Sequence, residues 1–512
     1  MSECVNYKMK NIIRHIVFVL VAILPFTQGI AQKKKAEIQI IHSNTLEYNE
    51  KLGPGLKKLI GEVELQHEDV FMFCDSAYLY DNQNLVEAFS NVYIRRGDTL
   101  HLYGDFLRYK GDEKLAIIRH NVTLIDNEAE LNTEFLDYDL NTDIGYYFNG
   151  GTILSDENTL SSILGNYNTI LKEFHFKDSV VILNPDYTIL SDTMEYNTVS
   201  EISYFFGPTE IIGDSSYLYC EDGWYNTKTD ISKLKINALV KSKNQIVKGD
   251  SIYYEKANGY GKAYGNVELT DTLKDMIVKG NFSEYFEQPE SFFVTDSAVF
   301  IQITSTDSLF VHADTLRSHK DSTETYRTIS AYYHCKMYKD DFQAKCDSMV
   351  YSLRDSVIRM YNDPILWSDK NQITADSIAI FTKDGHADHL EMYNNAFIIT
   401  MEDSIRFNQI KGKNMIAFFK DDNLYRINVT GNGETIYFTL DEGKIIGVNQ
   451  ALCSDIIIYL ENEEISKISF LVKPDGIMTP PDDENPENLR LDGFIWLELF
   501  RPLNKWDIFI WE

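Results

Sequence analysis

His386 and His389, in the run DGHADH with Asp384 and Asp388, have the spacing best suited to holding a metal ion. A zinc site needs three or four ligands converging on one point. HxxH on a strand puts its two rings on opposite faces, and no third ligand stands out, so no site is expected. The acidic pairs Asp340-Asp341 and Asp421-Asp422 could supply the two carboxylates of a glycosidase or lyase. Both lie in polar turns, where solvation already accounts for them. GYGKAYG, at 259–265, has the wrong spacing for GxGxxG and no helix after it, so it predicts no nucleotide site. GxSxG, HExxH and P-loop patterns are missing. The many repeated aspartates lack the ligand-dense nonapeptide of calcium solenoids. The sequence thus predicts a non-enzyme, with no catalytic residue, no metal and no cofactor.

The elements around these residues are dominated by one repeat. Its first half is Asp (or Asn) followed by Ser or Thr and then alternating apolar residues, often closing on Tyr. Copies stand at Asp75 (DSAYLY), Asp192 (DTMEY), Asp250 (DSIYY), Asp314, Asp347 (DSMVY), Asp376 (DSIAI) and around Asp455. Looser copies stand at Asn44, Asp105, Glu134, Asp222 and Asn414, with weak ones near Asn166 and Asn281. These fourteen starts are spaced by about 32 residues, the signature of a stacked repeat. A second half follows roughly 15 residues on: NVYI at Asn91, NVTL at Asn121, NVEL at Asn266, GEVEL at Gly61, DPIL at Asp363 and NNAFI at Asn394.

Each unit therefore reads as strand, turn, strand, turn, with the Asp-Ser/Thr step assigned to a turn because short oxygen side chains bond nearby backbone N–H groups. Residues two and four after the Asp share one face. They are the candidate lining of an apolar interior: Leu46, Tyr48, Leu79, Leu107, Tyr109, Leu136, Met194, Ile252, Tyr254, Met349 and Ile378. One unit cannot bury that face alone, whereas stacked units form a continuous core. The expected fold is all-β: an elongated, repeat-built β-jelly roll or solenoid-like twisted sandwich of two facing sheets. Fourteen layers about 4.8 Å apart would be roughly 65 Å long, with open strand edges at both ends.

Composition narrows the function. The chain has 512 residues, 48 basic against 78 acidic, for a net charge of −30. That balance excludes a nucleic-acid groove and disfavours adhesion to anionic membrane. Lys8, Lys10 and Arg14, the apolar run 16–26 and Gly29-Ile30-Ala31 form a secretory signal, 1–31. A membrane anchor is the alternative, but Pro25, Gly29 and several polar residues interrupt the apolar run. Five cysteines remain after the signal, too few and too scattered for a disulfide scaffold. Only Cys335 and Cys346 are close enough to bridge locally, and buried thiols on adjacent strands are the simpler reading. The body divides into 32–175 and 176–475, then an acidic, Pro-rich linker, 476–490. The aromatic segment 491–512 reads as a final strand or cap on the last edge, or as a docking segment.

The stretch from CDSAYLY at Cys74 through VEAFSNVYI to GDTLHLYGDFLRYKGDEKLAIIRHNVTLID resembles the OstA-like, LptA-type proteins of lipopolysaccharide transport, as does SIYYEKANGYGKAYGNVELTD from Ser251. The resemblance covers about 37–475 and is of the Bacteroidota type. It implies a twisted jelly roll, V-shaped in section, whose apolar interior cradles the acyl chains of lipid A in the periplasm. It implies as partners lipopolysaccharide, the inner-membrane extractor and the outer-membrane translocon, with head-to-tail self-association. The anionic cargo against a net negative chain implies head groups left in solvent or bridged by divalent cations. A dry structural or adhesive rod, and a polysaccharide-acting enzyme on a β-solenoid, are the other readings. N-terminal sequencing of the exported protein is expected to begin at Gln32; an uncut chain in the inner membrane overturns the signal.

Overall fold

The computed structural model describes residues 36–511 apart from 49–52, 128, 156, 304–306, 321–322, 324, 384–385, 421–422, 462–463, 482–484 and 486–487. The signal segment, Asp384, Asp421 and Asp422 lie outside the described residues. Regular structure is almost wholly strand, in 34 segments from Gln39 to Thr479, and the described helical turns are only three residues long. The chain is all-β and antiparallel, as the alternation predicts. Six of its strand passes (39–48, 144–155, 158–168, 357–368, 371–383 and 464–479) are broken in the middle into two segments. The 34 segments therefore make 28 passes, two for each of the fourteen repeats.

Every unbroken pass bends in the middle, and the repeat explains how. The strand Val70–Tyr80 buries Val70, Met72 and Cys74, then Ala77 and Leu79, so its alternation slips by one at Asp75-Ser76. Its neighbour Leu85–Arg96 buries Val86 and Ala88, then Val92 and Ile94. Between them Ser90 and Asn91 are both left-handed, at φ 64° and 51°, and the register slips across them. One strand thus carries an extra residue, a bulge that turns the chain while keeping its apolar residues on the same concave side. The same left-handed pair recurs at His120-Asn121, Asp178-Ser179, Ile236-Asn237, Gly265-Asn266, Asp296-Ser297, Tyr333-His334 and Asn394-Asn395.

The repeated Asp and Asn meet at this bend. Asn91 Nδ2 donates to Asp75 at 2.7 Å, Asn121 to Asp105 at 2.6 Å, Asn266 to Asp250 at 3.1 Å and Asn395 to Asp376 at 2.9 Å. His334 takes the same role toward Asp314 at 2.8 Å. The Asp-Ser/Thr step is therefore not a turn at the start of a strand, as its turn-forming residues suggested. It sits mid-strand, opposite the bulge, where the ladder is interrupted and a side-chain acceptor is needed.

The chain forms two compact units: one up to Val122 with Asp137–Asn141, the other Thr123–Leu136 with the rest. In the first, Leu79, Val86 and Tyr109 face one another in register and are at most 2% exposed. Tyr109 is joined through its hydroxyl to buried His67 at 2.7 Å. Leu46 and Tyr48 depart from the expected burial, at 51% and 54% exposure. Leu46 stands directly opposite fully buried Leu59 and so faces the apolar side. Its pass pairs only with Leu56–His67 among the described residues, and this outermost layer leaves the face uncovered.

In the second unit a contiguous core runs from Val278 to Ile458 and includes the in-register row Met349, Met360 and Ile378. Cys335 and Cys346 are directly opposite each other in it, buried and unbridged. The C-terminal segment does not lie on a strand edge. It crosses the outer face of this unit, with Leu489 packed beside Ile436, Phe438 and Val448.

Because left-handed backbone costs an ordinary side chain about 1–2 kcal/mol and is milder for Asn, Asn121→Val is expected to destabilise more than Asn121→Gly. The glycine variant loses only the bond to Asp105, about 1 kcal/mol. Urea denaturation of the two variants measures the order.

Candidate functional site

In the second unit the interior opens into a cavity of about 320 Å³. Its walls are both halves of the passes Gln245–Glu255, Tyr260–Asp271 and Met276–Phe286, with one half each of Ile231–Ser242 and Ser291–Ile303. On one side of the bend, Val240, Val247, Leu269 and Val278 stand in register as an aliphatic row. On the other side, Tyr254, Gly261, Tyr285 and Phe292 form a second row, and Ile252, Ala263 and Ser283 a third.

The space arises because the inward positions of one strand are small. Gly261 stands between Tyr254 and Tyr285, and Ala263 between Ile252 and Ser283. Gly261 and Ala263 belong to GYGKAYG, whose alternating small residues looked meaningless as a phosphate loop. Their period of two, read as strand, signals a hollow. The flanking glycines are fixed by the backbone. Gly259 has φ +55° in the turn, and Gly265 has φ +67° in the bulge, where a Cβ would sit 2.1 Å from an Asp250 carboxylate oxygen.

One end of the cavity is ionic. Glu290 accepts from Lys320 at 2.7 Å and pairs with Arg327, which also donates to Ser318 at 2.9 Å. Burial pushes the Glu290 carboxyl up, but the bonds from Lys320 and Arg327 outweigh it and hold the group below the usual carboxylate value. Burial, with Glu290 and Glu287 nearby, raises the Tyr285 phenol, and burial with Glu287 and Asp230 raises that of Tyr254. Both stay protonated donors at neutral pH. The opposite end carries Asp271 and Lys274, paired at 3.3 Å.

Of the eleven residues expected to line an interior, the cavity brings together Ile252 and Tyr254. Leu79, Leu107, Tyr109, Leu136, Met194, Met349 and Ile378 are buried against their neighbours elsewhere, and Leu46 and Tyr48 are exposed. Gly261, Ala263, Tyr285, Glu290 and Arg327 were not anticipated. Only the small-residue alternation and the weak repeat copy near Asn281, which ends on Tyr285, hinted at them.

The dismissed chemistry also has a geometry. A bulge at Ala387-Asp388 sets His386 opposite Lys383 and His389 opposite Phe381, so the simple alternation that separated the two rings does not apply. The His389 ring stacks on Phe381 at 4.2 Å and is bound to Asp388 at 2.6 Å. Among the described residues, no group of three or more His, Cys, Asp or Glu could hold a metal ion. Asp340 accepts from Tyr338 and Asp341 pairs with Lys339, inside their own turn. Burial pushes the thiols of Cys74 and Cys220 up to about 12, away from nucleophilic use. The arrangement is an apolar hollow with an ionic lip.

Comparison with known proteins adds the following. The family described as OstA-like protein matches residues 35–192 and 188–250. The family described as LptA/(LptD N-terminal domain) LPS transport protein matches 302–386. Among solved structures, the chain is similar to LptH, the LptA-homologous periplasmic component of the lipopolysaccharide transport device of Pseudomonas aeruginosa. Identity is 15%, over 23% of this chain and 81% of that one, with a TM-score of 0.20. No curated protein matches.

A carboxyl held below its unfolded value stabilises the fold above that value, about pH 4.3, and the gain is lost as pH falls through the folded value. Glu290→Gln is therefore expected to melt below the parent protein at pH 7. The gap should close as pH drops below about 4. Thermal melts at the two pH values check it.

Proposed function

We propose that this chain, which matches the OstA-like family over 35–250 and the LptA/(LptD N-terminal domain) family over 302–386, carries lipopolysaccharide by its acyl chains through the periplasm, between the inner and outer membranes. The observation that supports this reading is the cavity of about 320 Å³ with aliphatic and aromatic walls. Each methylene moved from water into such walls gains ~0.8 kcal/mol. A chain entering from the Glu290–Arg327 end would leave its polar head among Arg327, Lys320 and solvent. Arginine suits phosphate and carboxylate groups, which would ease the mismatch between an anionic cargo and a chain of net charge −30. The inner-membrane extractor and outer-membrane translocon are the partners this role requires. The uncovered face of the first pass, with Leu46 and Tyr48, offers an end for head-to-tail association.

A dry structural rod is the second reading, favoured by the tight packing around Leu79, Leu107 and Met194. Ala263→Trp separates the two. The indole fills the hollow where Ala263 leaves space, so the variant is expected to fold with a normal melting temperature. It should lose most of the lipid that mass spectrometry finds in the parent protein purified from the periplasm. Parent protein free of lipid, or a folded variant with undiminished lipid, overturns the carrier reading.

A further inference from the structure

The segment 489–511 is held on the outer face of the second unit chiefly through its main chain. Gln409 Nε2 donates to the Leu489 carbonyl at 2.9 Å, and its Oε1 accepts from the Leu491 N–H at 2.8 Å. Gln372 repeats the pattern with the Ile495 carbonyl at 2.8 Å and the Leu497 N–H at 2.6 Å. Lys411 reaches the Asp492 carbonyl at 2.9 Å and Lys336 the Ile510 carbonyl at 2.5 Å. Gln343, Gln372 and Gln409 are at most 3% exposed, and Gln343 accepts from Arg501 at 2.7 Å.

A glutamine side chain presents an NH2 donor group beside a carbonyl acceptor, spaced like the N–H and C=O of a peptide unit. Two successive glutamines therefore read an extended backbone as a neighbouring strand would, but from the face of a sheet rather than its edge. Side-chain selectivity comes from few places. Leu489 enters the cluster of Ile436, Phe438 and Val448. Phe494 and Trp496 pack on Phe397, Ile399 and Phe407, and Lys345 lies over the Phe500 and Trp511 rings at 4.3 and 4.1 Å.

Two further facts bear on permanence. The clamp consists of Gln and Lys side chains, which water solvates if the segment leaves, whereas a permanent core would be apolar. The apolar floor, Phe397 to Phe438, tolerates no such exposure, so a departing segment must be replaced by one of the same chemistry. The connection is long in residues for the distance between its ends. Thr479 is directly opposite Val448, and Leu489 packs in the cluster that contains Val448. The nine residues between them, 480–488, join neighbouring points although they could span ~30 Å when extended.

We propose that this outer face is a binding site for an extended apolar–aromatic peptide, read through its main chain, which each molecule fills with its own residues 489–511 and which two copies exchange. Segment exchange between identical copies needs no new contacts, only a connection long enough to reach the second copy.

The test uses the full chain with a specific protease site inserted in 482–487, cut after folding and then mixed with a fluorescent synthetic peptide of residues 488–511. The cut protein is expected to keep its circular dichroism spectrum and take up the labelled peptide saturably. Gln372→Ala with Gln409→Ala should weaken uptake at least about tenfold, since four hydrogen bonds are removed. In parallel, the uncut parent, concentrated and examined by native mass spectrometry, should form dimers that the double variant does not. A cut protein that stays folded but refuses the peptide overturns the site. A parent that stays monomeric at every concentration overturns the exchange.

Discussion

The bend in the middle of each pass is the constraint on which this molecule depends. A flat antiparallel ribbon has two faces, and a 32-residue repeat has too few apolar residues to cover either. Bending every pass at a bulge folds the ribbon toward itself, so both halves of one pass contribute to one interior. The cost is two successive left-handed residues, a conformation most side chains resist. Asn tolerates it, and its amide reaches the Asp of the adjacent pass. The Asp–Asn bond is thus what the repeat conserves along its own length, while the apolar residues beside it vary among Leu, Ile, Met, Val and Tyr.

Much of this was legible in the residues. Period-two alternation at Leu107 and Tyr109 or Ile252 and Tyr254 identified strands and their inward face, and the count of fourteen repeats matches the passes. The role of Asp75 or Asp250 was misread, because a side chain that stabilises a turn and one that stabilises a bulge look alike in sequence. Both supply a short acceptor where the ladder fails. The depth of the interior was not legible either. A hollow depends on what is missing between layers, and Gly261 and Ala263 reveal it only once they are known to stand beside Tyr254 and Tyr285. Arg327 and Glu290 lie 37 residues apart, more than one repeat, so no local pattern links them.

Charge is arranged as economically as shape. The acids of the repeat cluster at the exposed bend and in turns, where water and neighbouring amides satisfy them. Some basic groups stand where something is held: Lys320 and Arg327 at the cavity lip, and Lys336, Lys345 and Lys411 beneath the C-terminal segment, which itself brings Arg501 to Gln343.

The C-terminal segment also bears on how the chain acquires cooperativity. Passes that bond mainly to their immediate neighbours form a nearly one-dimensional system, in which single layers can open without consulting distant ones. The segment bonds residues 80 to 174 positions apart, from Gln409–Leu489 to Lys336–Ile510. It ties together strands that otherwise meet only through a series of intermediates. Those contacts close the longest loops in the chain and so form late in folding. By joining layers between Ser308 and Glu461 that are not neighbours, the segment makes the opening of one layer a cost to others.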